Sequence, residues 1–343
     1  MPIQPDPAEP QWLSQARAGD SFAFDRLVGP YRRSIHSHCY RMLGSPHDAD
    51  DALQETLLAA WRGLTSFEGR SALGTWLYKI STNLCLRRIS QRPRRIESPD
   101  HGPSFHTTAD LGQMVSGPVW LEPLSDDEAP GPDDTHQDPG DALARRESVA
   151  LAFVAALQHL PGTQRAVLML REVLEYSAAE TADMLGTSVA SVNSALQRAQ
   201  KTVKDKMPSV SQAAELQAVG EDGLDELLRA FVTAWESRNI DELVRLFTED
   251  ARFTMPPLPA WFDGRAFVKK FIVERVFATP WRMLPLRANG QVGFACYMKA
   301  EGSDRFRLGG ITLLSLRAGR IAGLHSFLDP TVHRRFGLAE EIF

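Results

Sequence analysis

The segment Asp48–Arg95, DADDALQETLLAAWRGLTSFEGRSALGTWLYKISTNLCLRRISQRPRR, changes chemical character halfway along its length. Its first half is acidic, and apolar residues recur there every three or four positions, the period of a helix that buries one face. The second half repeats this period after Ser71, which we expect to cap the second helix. The two predicted buried stripes are Ala49, Leu53, Leu57, Ala60 and Leu64, followed by Leu73, Leu77, Ile80 and Leu84.

The second of these helices belongs to a strongly basic stretch. Between Arg62 and Arg95 there are eight lysines or arginines and one acid, Glu68. Basic charge follows the backbone of single-stranded nucleic acid, and aromatic rings stack on its exposed bases. Charge and aromatic content alone leave an alternative open, a solvated basic helix over an ordinary core.

The order of these features separates the two alternatives. An acidic helix, the FEGRS turn and then TWLYKISTNLCLRR resembles the core-binding and promoter-melting segments of bacterial sigma factors of the extracytoplasmic-function (ECF) group. The resemblance implies that the acidic helix docks on the β′ clamp helices of core RNA polymerase through Asp51, Gln54, Glu55 and Leu58. It also implies a pocket for a flipped −10 base made by Gly69, Arg70, Ser71 and Ala72, and a strand-binding face made by Trp76, Lys79, Asn83, Arg87 and Arg88.

A second helical region, residues 146–207, carries the signature of a helix-turn-helix. Ser177 and Glu180 form a capping box, Gly186 supplies the turn, and Ser188 caps a second helix. The first turns of such a helix reach base edges, and the basic residues after them reach phosphates. An αα-hairpin that does not bind DNA is the alternative. The predicted DNA-facing residues are Ser188, Ala190, Ser191, Asn193, Ser194, Gln197, Arg198 and Lys201.

The sequence LPGTQRAVLMLREVLEYSAAETADMLGTSVASVNSALQRAQ resembles the −35-reading domain of the same sigma-factor group. Two segments of the group thus occur in the expected order, the first within residues 15–95. The resemblance implies core RNA polymerase (β′ clamp helices and β flap) and promoter DNA as partners, with an anti-sigma factor as a further partner.

The two helical regions are joined by residues 96–145, which we interpret as an acidic linker. From Ile96 to Asp141 there are seven prolines and eleven acids but neither lysine nor arginine, a composition that favours disorder. One apolar cluster stands out, Val119-Trp120-Leu121, followed by Leu124. We expect this cluster to dock on another part of the chain, although a chance cluster is the alternative.

The C-terminal region, residues 222–343, combines helical periodicity with later strand patterns. Asn289-Gly290 predicts a hairpin turn between two strands. The motif TEDARFTMPPLPAWFDGR resembles the SnoaL-like branch of the NTF2-like superfamily, an α+β cone that some ECF sigma factors carry as an extension. We expect it to regulate activity through contacts at Trp120, Leu121, Phe327, Asp329 and Pro330. The alternative is a helix-turn-helix regulator fused to a ligand-binding or enzymatic domain. In that case His325 and Asp329 would carry out acid–base chemistry.

Other features narrow the function. The three cysteines are far apart, and His36 and His38 point to different faces of a helix, so we expect no metal and no cofactor. No apolar run is long enough to span a membrane, and residues 1–10 lack the layout of a signal peptide. The sequence therefore predicts a cytoplasmic sigma factor without catalytic residues, built of two all-α domains followed by an α+β cone.

Overall fold

The computed structural model describes residues 8–129 and 150–343 of the 343-residue chain. These residues form two compact units, and each unit is built from two segments that are separate in the sequence. Met1–Arg95 and Asp127–Met207 make the first, and Ile96–Asp126 and Pro208–Phe343 the second. The first unit is helical and the second combines helices with a sheet, which confirms the predicted fold class.

The first half of the helical unit contains five helices. Asp20 caps the second and Ser45 the fourth, each by accepting backbone N–H bonds. Apolar residues recur at helical spacing from Phe24 to Met42, which predicts one helix over Asp20–Leu43, but the structure has two helices there. Pro30 has no N–H to donate and its ring crowds the preceding turn, so a 3-10 turn at Gly29–Tyr31 separates two helices. The bounds are α1 Glu9–Arg17, α2 Ser21–Val28, α3 Arg32–Leu43, α4 Pro46–Gly63 and α5 Leu73–Gln91.

The buried faces of α4 and α5 are rotated from the predicted stripes. In α4 the small residues Ala52 and Thr56 are buried, whereas Leu53 and Leu57 are half-buried. In α5 the stripe begins as expected but continues through polar positions instead of Ile80 and Leu84. The reason is a buried partner on α3, since Thr82 Oγ1 lies 2.9 Å from His38 Nε2. The buried residues of α5 are Leu73, Gly74, Leu77, Tyr78, Ser81, Thr82 and Cys85.

The second half of the helical unit ends in the predicted helix-turn-helix. The capping box of Ser177 and Glu180 is present, and Gly186 adopts the left-handed conformation with φ of 62°. Ser188 caps the last helix by accepting from Ser191 N. The helices are α7 Leu151–Gln158, α8 Gly162–Leu168 with a π turn at Met169–Val173, α9 Ala178–Leu185 and α10 Val189–Lys206; a short α6, Ser98–His101, belongs to the other unit.

The second unit packs helices against a curved sheet. The strand order is β2-β1-β6-β5-β4-β3, with β7 paired to β5, and β1 runs parallel to β6 while the other pairs are antiparallel. Asn289 and Gly290 form the predicted hairpin turn with φ values of 55° and 68°. The helices are α11 Gln212–Glu236, interrupted at Gly220, α12 Ile240–Arg245, α13 Arg265–Phe271 and α14 Pro330–Arg334; the strands are β1 Phe247–Thr254, β2 Trp261–Asp263, β3 Trp281–Ala288, β4 Gln291–Lys299, β5 Phe306–Arg317, β6 Arg320–Phe327 and β7 Glu341–Ile342.

Residues 96–126 differ most from their sequence-based interpretation. Composition favoured a solvated linker with one docking cluster, yet the whole stretch belongs to the unit that contains the sheet. Phe105 and Leu111 pack against the core of that unit. Composition underestimated the order because the partners that satisfy this segment lie more than a hundred residues later in the chain.

Candidate polymerase and DNA interfaces

The predicted polymerase-facing residues lie on the exposed surface of α4. Asp51, Gln54 and Glu55 are exposed, and Leu58 is an exposed leucine with 48% of its surface accessible. Two of the acids already form ion pairs with an arginine, because Arg88 lies 2.6 Å from Glu55 and 3.5 Å from Asp51. The side chains of Gln54 and Leu58 are exposed, and within the described residues neither is held by a charged partner in this way. These two side chains are therefore the most accessible to a partner among the four.

Several arginines of the basic stretch serve to hold α4 against α5. Asp48 is buried at the start of α4 and accepts from Arg92 at 2.5 Å and from Arg95 at 2.6 Å. Arg88, predicted to line the DNA strand, is instead largely covered, with 15% of its side chain exposed, and it faces the acids of α4. Local sequence could not reveal this, since the paired residues are more than thirty positions apart.

The predicted base pocket is an exposed turn between these helices. Gly69 has a φ of 72°, and Arg70 is exposed and lies 3.0 Å from Glu68. Ser71 was expected to cap α5, and this was wrong: Ala72 occupies the cap position, without a side-chain hydrogen bond. Ser71 and Ala72 are exposed. The turn therefore leaves both side chains and backbone groups facing solvent.

The face of α5 that follows combines an aromatic ring with basic and amide groups. Trp76 stacks on Phe67 with ring centroids 4.8 Å apart, so one face of its indole is already covered. Lys79 Nζ lies 2.9 Å from Asp183 Oδ2, and Asn83 Nδ2 donates to the Met184 carbonyl at 3.4 Å. Arg87 is exposed, and its guanidinium has no ion-pair partner in the part of the chain that the structure describes. The two halves of the helical unit thus meet on this face.

The second helix of the helix-turn-helix, α10, turns the predicted residues outward. Its buried side consists of Val192, Ala195 and Ala199. Some of the outward-facing side chains are hydrogen-bonded to a neighbouring side chain, and others are not. Ser188 Oγ and Ser191 Oγ lie 2.9 Å apart, and Arg198 donates to Ser194 Oγ at 2.6 Å. The amides of Asn193 and Gln197 and the ammonium of Lys201 are exposed and make no such bond to another side chain of the described residues.

The prediction omitted one exposed apolar residue at the start of α10. Val189 follows the cap residue and has 43% of its surface accessible. The core beneath the turn is formed by Val167, Ala182 and Val192 and does not include it. A valine directly after an N-cap serine was the available signal, but a single exposed valine is common on protein surfaces and does not stand out in a sequence.

Residues 96–126 form an extended contact with the sheet unit. Phe105 N donates to the Trp261 carbonyl at 2.7 Å on edge strand β2, and Trp261 Nε1 donates to the Gly102 carbonyl at 2.8 Å. At the other end, the backbone of Leu124 makes two 2.9 Å bonds with Asn289, one to its side-chain Oδ1 and one from its backbone N. The apolar cluster is buried, with Trp120, Leu121 and Leu124 between 1% and 6% exposed.

The other predicted regulatory residues lie at the end of β6. Phe327 is buried, and its carbonyl contacts His333 Nε2 at 2.8 Å. Asp329 caps α14 by accepting from Thr331 N at 2.8 Å, and Pro330 is the first residue of that helix. Hydrogen bonds that join residues 96–126 to the rest of the unit include those to Pro257, Trp261 and Asn289.

The two groups considered for acid–base chemistry have separate partners. His325 contacts Ser315 Oγ at 2.9 Å and Thr254 Oγ1 at 3.3 Å, and burial lowers the pKa of His325 to about 4. Asp329 is engaged in the cap of α14. Within residues 8–129 and 150–343, no three His, Cys, Asp or Glu side chains are arranged to hold a metal ion. No helix of the described ranges is long and apolar enough to cross a membrane.

Family models match three parts of the chain, in the order in which these surfaces occur. Sigma-70 region 2 matches residues 27–95, Sigma-70 region 4 matches residues 150–203, and a SnoaL-like domain matches residues 228–324. The first match contains α3 to α5, and the second contains the helix-turn-helix. Together they define a sigma factor with an added SnoaL-like domain.

Individual relatives narrow this class. The chain is 42% identical over 332 residues to the ECF RNA polymerase sigma factor SigG of Mycobacterium tuberculosis, covering 95% of this chain and 86% of that protein. It is 29% identical over 195 residues to the ECF sigma factor SigW of Bacillus subtilis, covering 57% of this chain and 94% of that one. The crystal structure of M. tuberculosis SigJ has a similar fold, with a TM-score of 0.56 at 20% identity, covering 89% of this chain and 96% of that chain. The protein belongs to the ECF RNA polymerase sigma factors.

Proposed function

We propose that the protein binds core RNA polymerase in the cytoplasm, directs it to specific promoters and helps to open the DNA there. The observation that carries this proposal is the presence of both sigma-70 regions in order, in a chain 42% identical to SigG over 95% of its length. The test is transcription by core RNA polymerase with and without the purified full chain, on a library of genomic fragments. Transcripts from defined starts that require the chain are expected. Random starts alone would contradict the proposal.

The polymerase contact is assigned to the exposed face of α4. Leu58 supplies an apolar group surrounded by the polar residues Asp51, Gln54 and Glu55, an arrangement that suits a small interface with an apolar centre and polar rim. Arg88 holds two of these acids in place from the neighbouring helix. The β flap, and an anti-sigma factor that competes for these surfaces, are the further partners in this proposal.

The −10 element is assigned to the exposed turn and the adjoining face of α5. Gly69, Arg70, Ser71 and Ala72 would hold a flipped base, and the indole of Trp76 would stack on the strand. Lys79, Asn83 and Arg87 would follow its phosphates and base edges. Arg88 acts here through α4, because its guanidinium is already bonded to Glu55.

The −35 element is assigned to α10. Asn193 and Gln197 carry amides that can pair with a base edge in the major groove, whereas Arg198 and Lys201 reach phosphates. Ser188 and Ser191 are bonded to each other, so the first turn presents the apolar side chains of Val189 and Ala190 to DNA, which suits the methyl group of thymine.

Replacing thymine by uracil removes only this methyl group and therefore tests the assignment. In a promoter recovered from the fragment library, one −35 thymine should show weaker holoenzyme binding after the replacement. A Val189→Ala variant should lose this difference but keep its binding to the uracil promoter. If Val189→Ala discriminates thymine from uracil as the original chain does, the valine is not the reader.

The SnoaL-like unit is assigned a regulatory role through its hold on residues 96–126. A segment that lies along β2 and the β3–β4 turn is not free to extend between two promoter-bound domains. The Asn289→Gly variant removes the side-chain acceptor of Leu124 N but keeps a residue that tolerates positive φ. We expect it to raise the rate of multi-round transcription from a fixed promoter. An equal rate for both chains at every polymerase concentration would contradict this role.

A further inference from the structure

The indole of Trp76 lies in a slot formed by the end of α4 and the turn that follows it. Its ring stacks on Phe67 with an angle of 29° between the ring planes. Along its benzo edge, Gly63 comes so close that a Cβ atom built there would lie 3.2 Å from Trp76 Cζ2 and 3.8 Å from Cη2. Trp76 is half-buried, so part of the ring remains open to solvent. One face and one edge of the indole are therefore fixed by other residues of the chain.

The backbone at Gly63 does not require a glycine. Its φ of −88° and ψ of −6° are values that residues with a side chain also adopt. As the last residue of α4, a glycine is also less favourable than an alanine, because it loses more conformational freedom on folding. The lack of a side chain at this position therefore serves packing, since it leaves room for the benzo edge of Trp76.

Hydrogen bonds hold the slot in a fixed shape. Ser66 Oγ donates to the Gly63 carbonyl at 2.8 Å. Arg17 of α1 donates to the Leu64 carbonyl at 3.3 Å and also to the Phe67 carbonyl. Phe67 itself is only 8% exposed, so its ring is packed in place. The surface on which the indole lies is thus anchored to α4 and to α1.

The same indole is tied to the turn assigned to the flipped base. Trp76 N donates to the carbonyl of Ala72, the last residue of that turn, at 3.2 Å. A ring that cannot tilt keeps its free face at a constant position relative to the turn. Binding groups that are already in place when the ligand arrives lose less conformational entropy, which strengthens binding.

We propose that Gly63 is a positioning residue for capture of the opened −10 strand. By leaving room for the benzo edge, it lets the indole of Trp76 lie flat on Phe67 and present its opposite face to the DNA. Because Phe67 already covers one face, the indole stacks on a single base and does not insert between two. This inference rests on the proposed function and adds to it a second residue, which acts through Trp76.

The substitution Gly63→Val tests the proposal. Its branched side chain would occupy the space of Trp76 Cζ2 and tilt the ring away from Phe67. The probe is a fork DNA from a promoter of the fragment library, with its −10 strand already single-stranded. We expect the holoenzyme to bind this fork about fivefold more weakly, the lower end of what loss of one stacked base costs. Binding of the chain to core RNA polymerase should be unchanged.

A double-mutant cycle provides the matched control. Trp76→Phe removes the benzo-ring atoms that Gly63 faces, so in this background Gly63→Val should weaken fork binding by less than about twofold. Equal losses in the two backgrounds would overturn the inference, because the glycine would then act on something other than Trp76. If Gly63→Val fails to bind core polymerase, Gly63→Ala decides; it adds one carbon and should show a smaller loss in the same direction, removed again by Trp76→Phe.

A spectroscopic measurement shows whether the ring moves. In the chain labelled with 5-fluorotryptophan, the fluorine resonance of Trp76 is the one that Trp76→Phe removes. This resonance should shift in Gly63→Val while the other tryptophan resonances stay in place. Weaker fork binding without such a shift would overturn the proposal, as would a shift without weaker binding.

The prediction of a single stacked base can be tested on the DNA. An abasic site placed at each position of the single-stranded −10 segment in turn should remove the difference between the original chain and Gly63→Val at one position only. Removal at two adjacent positions would mean that the indole lies between two bases, contrary to the proposal.

Failure of this inference is distinguishable from failure of the proposed function. Promoter-specific transcription by the original chain with core RNA polymerase is measured in parallel. Specific transcription with fork binding unaffected by Gly63→Val would reject the positioning role and leave the sigma-factor function standing. Absence of specific transcription from every fragment would instead reject the function on which the inference rests.

Discussion

Leu58 provides a direct test of the polymerase contact. It is 48% exposed on α4, so its substitution should change the free energy of unfolding by no more than about 0.5 kcal/mol. Complete burial of a leucine is worth about 1.5–3 kcal/mol, and roughly half of this surface remains to be covered by a partner. Leu58→Ala should therefore weaken binding to core RNA polymerase by about 1 kcal/mol, or about fivefold.

A charged substitution at the same position should have a larger effect. Leu58→Asp adds the cost of burying an unpaired carboxylate, so we expect a total loss of at least about 2 kcal/mol, or about 30-fold in Kd. Val210→Asp is the matched control, since Val210 has a similar exposure of 45% and lies outside the proposed interface. Fluorescence anisotropy of the labelled full chain, titrated with core RNA polymerase, measures the three affinities.

The choice of Leu58 over its acidic neighbours follows from the structure. Reversing the charges of Asp51 and Glu55 would remove both partners of Arg88, whose side chain is 15% exposed, and would place like charges beside it. A loss of polymerase binding in that double variant would not distinguish a lost contact from a displaced helix. If Leu58→Asp binds core polymerase as tightly as the original chain, the exposed face of α4 is not the contact and the assignment is refuted.

Three further predictions concern stability and order. Asp48→Ala leaves the buried guanidinium of Arg95 without this carboxylate and should lower the free energy of unfolding by about 3–5 kcal/mol in urea denaturation; a loss below 1 kcal/mol would show that the pair is not structural. Burial, and then Arg41, lowers the pKa of His38 to about 3, so the unfolded chain binds a proton that the folded chain does not. This group should cost about 1.4 kcal/mol of stability for each unit that the pH falls below about 6.5, and His38→Leu should lack that dependence. Asn289→Gly should speed hydrogen exchange at residues 119–126 by about five- to a hundredfold, through the unsatisfied backbone N–H that it leaves; unchanged exchange would mean that this bond does not hold the segment.

Local signals in the sequence were sufficient for the helix-turn-helix and the hairpin turn. The capping box at Ser177, the left-handed Gly186 and the cap at Ser188 are interactions between residues at most four apart, so their residue types determine the geometry. The turn at Asn289 and Gly290 is equally local. For these elements the sequence predicted both the elements and the outward face of α10.

The partners of α5 could not be predicted in the same way. Periodicity favoured burial of Ile80 and Leu84, but the helix buries Thr82 because His38 of another helix offers it a hydrogen bond. The family resemblance placed Arg88 among the residues that line the DNA strand, but in the structure it is paired with two acids of α4. In both cases the deciding interaction joins residues more than thirty positions apart, and no alternation of apolar residues encodes such a pair.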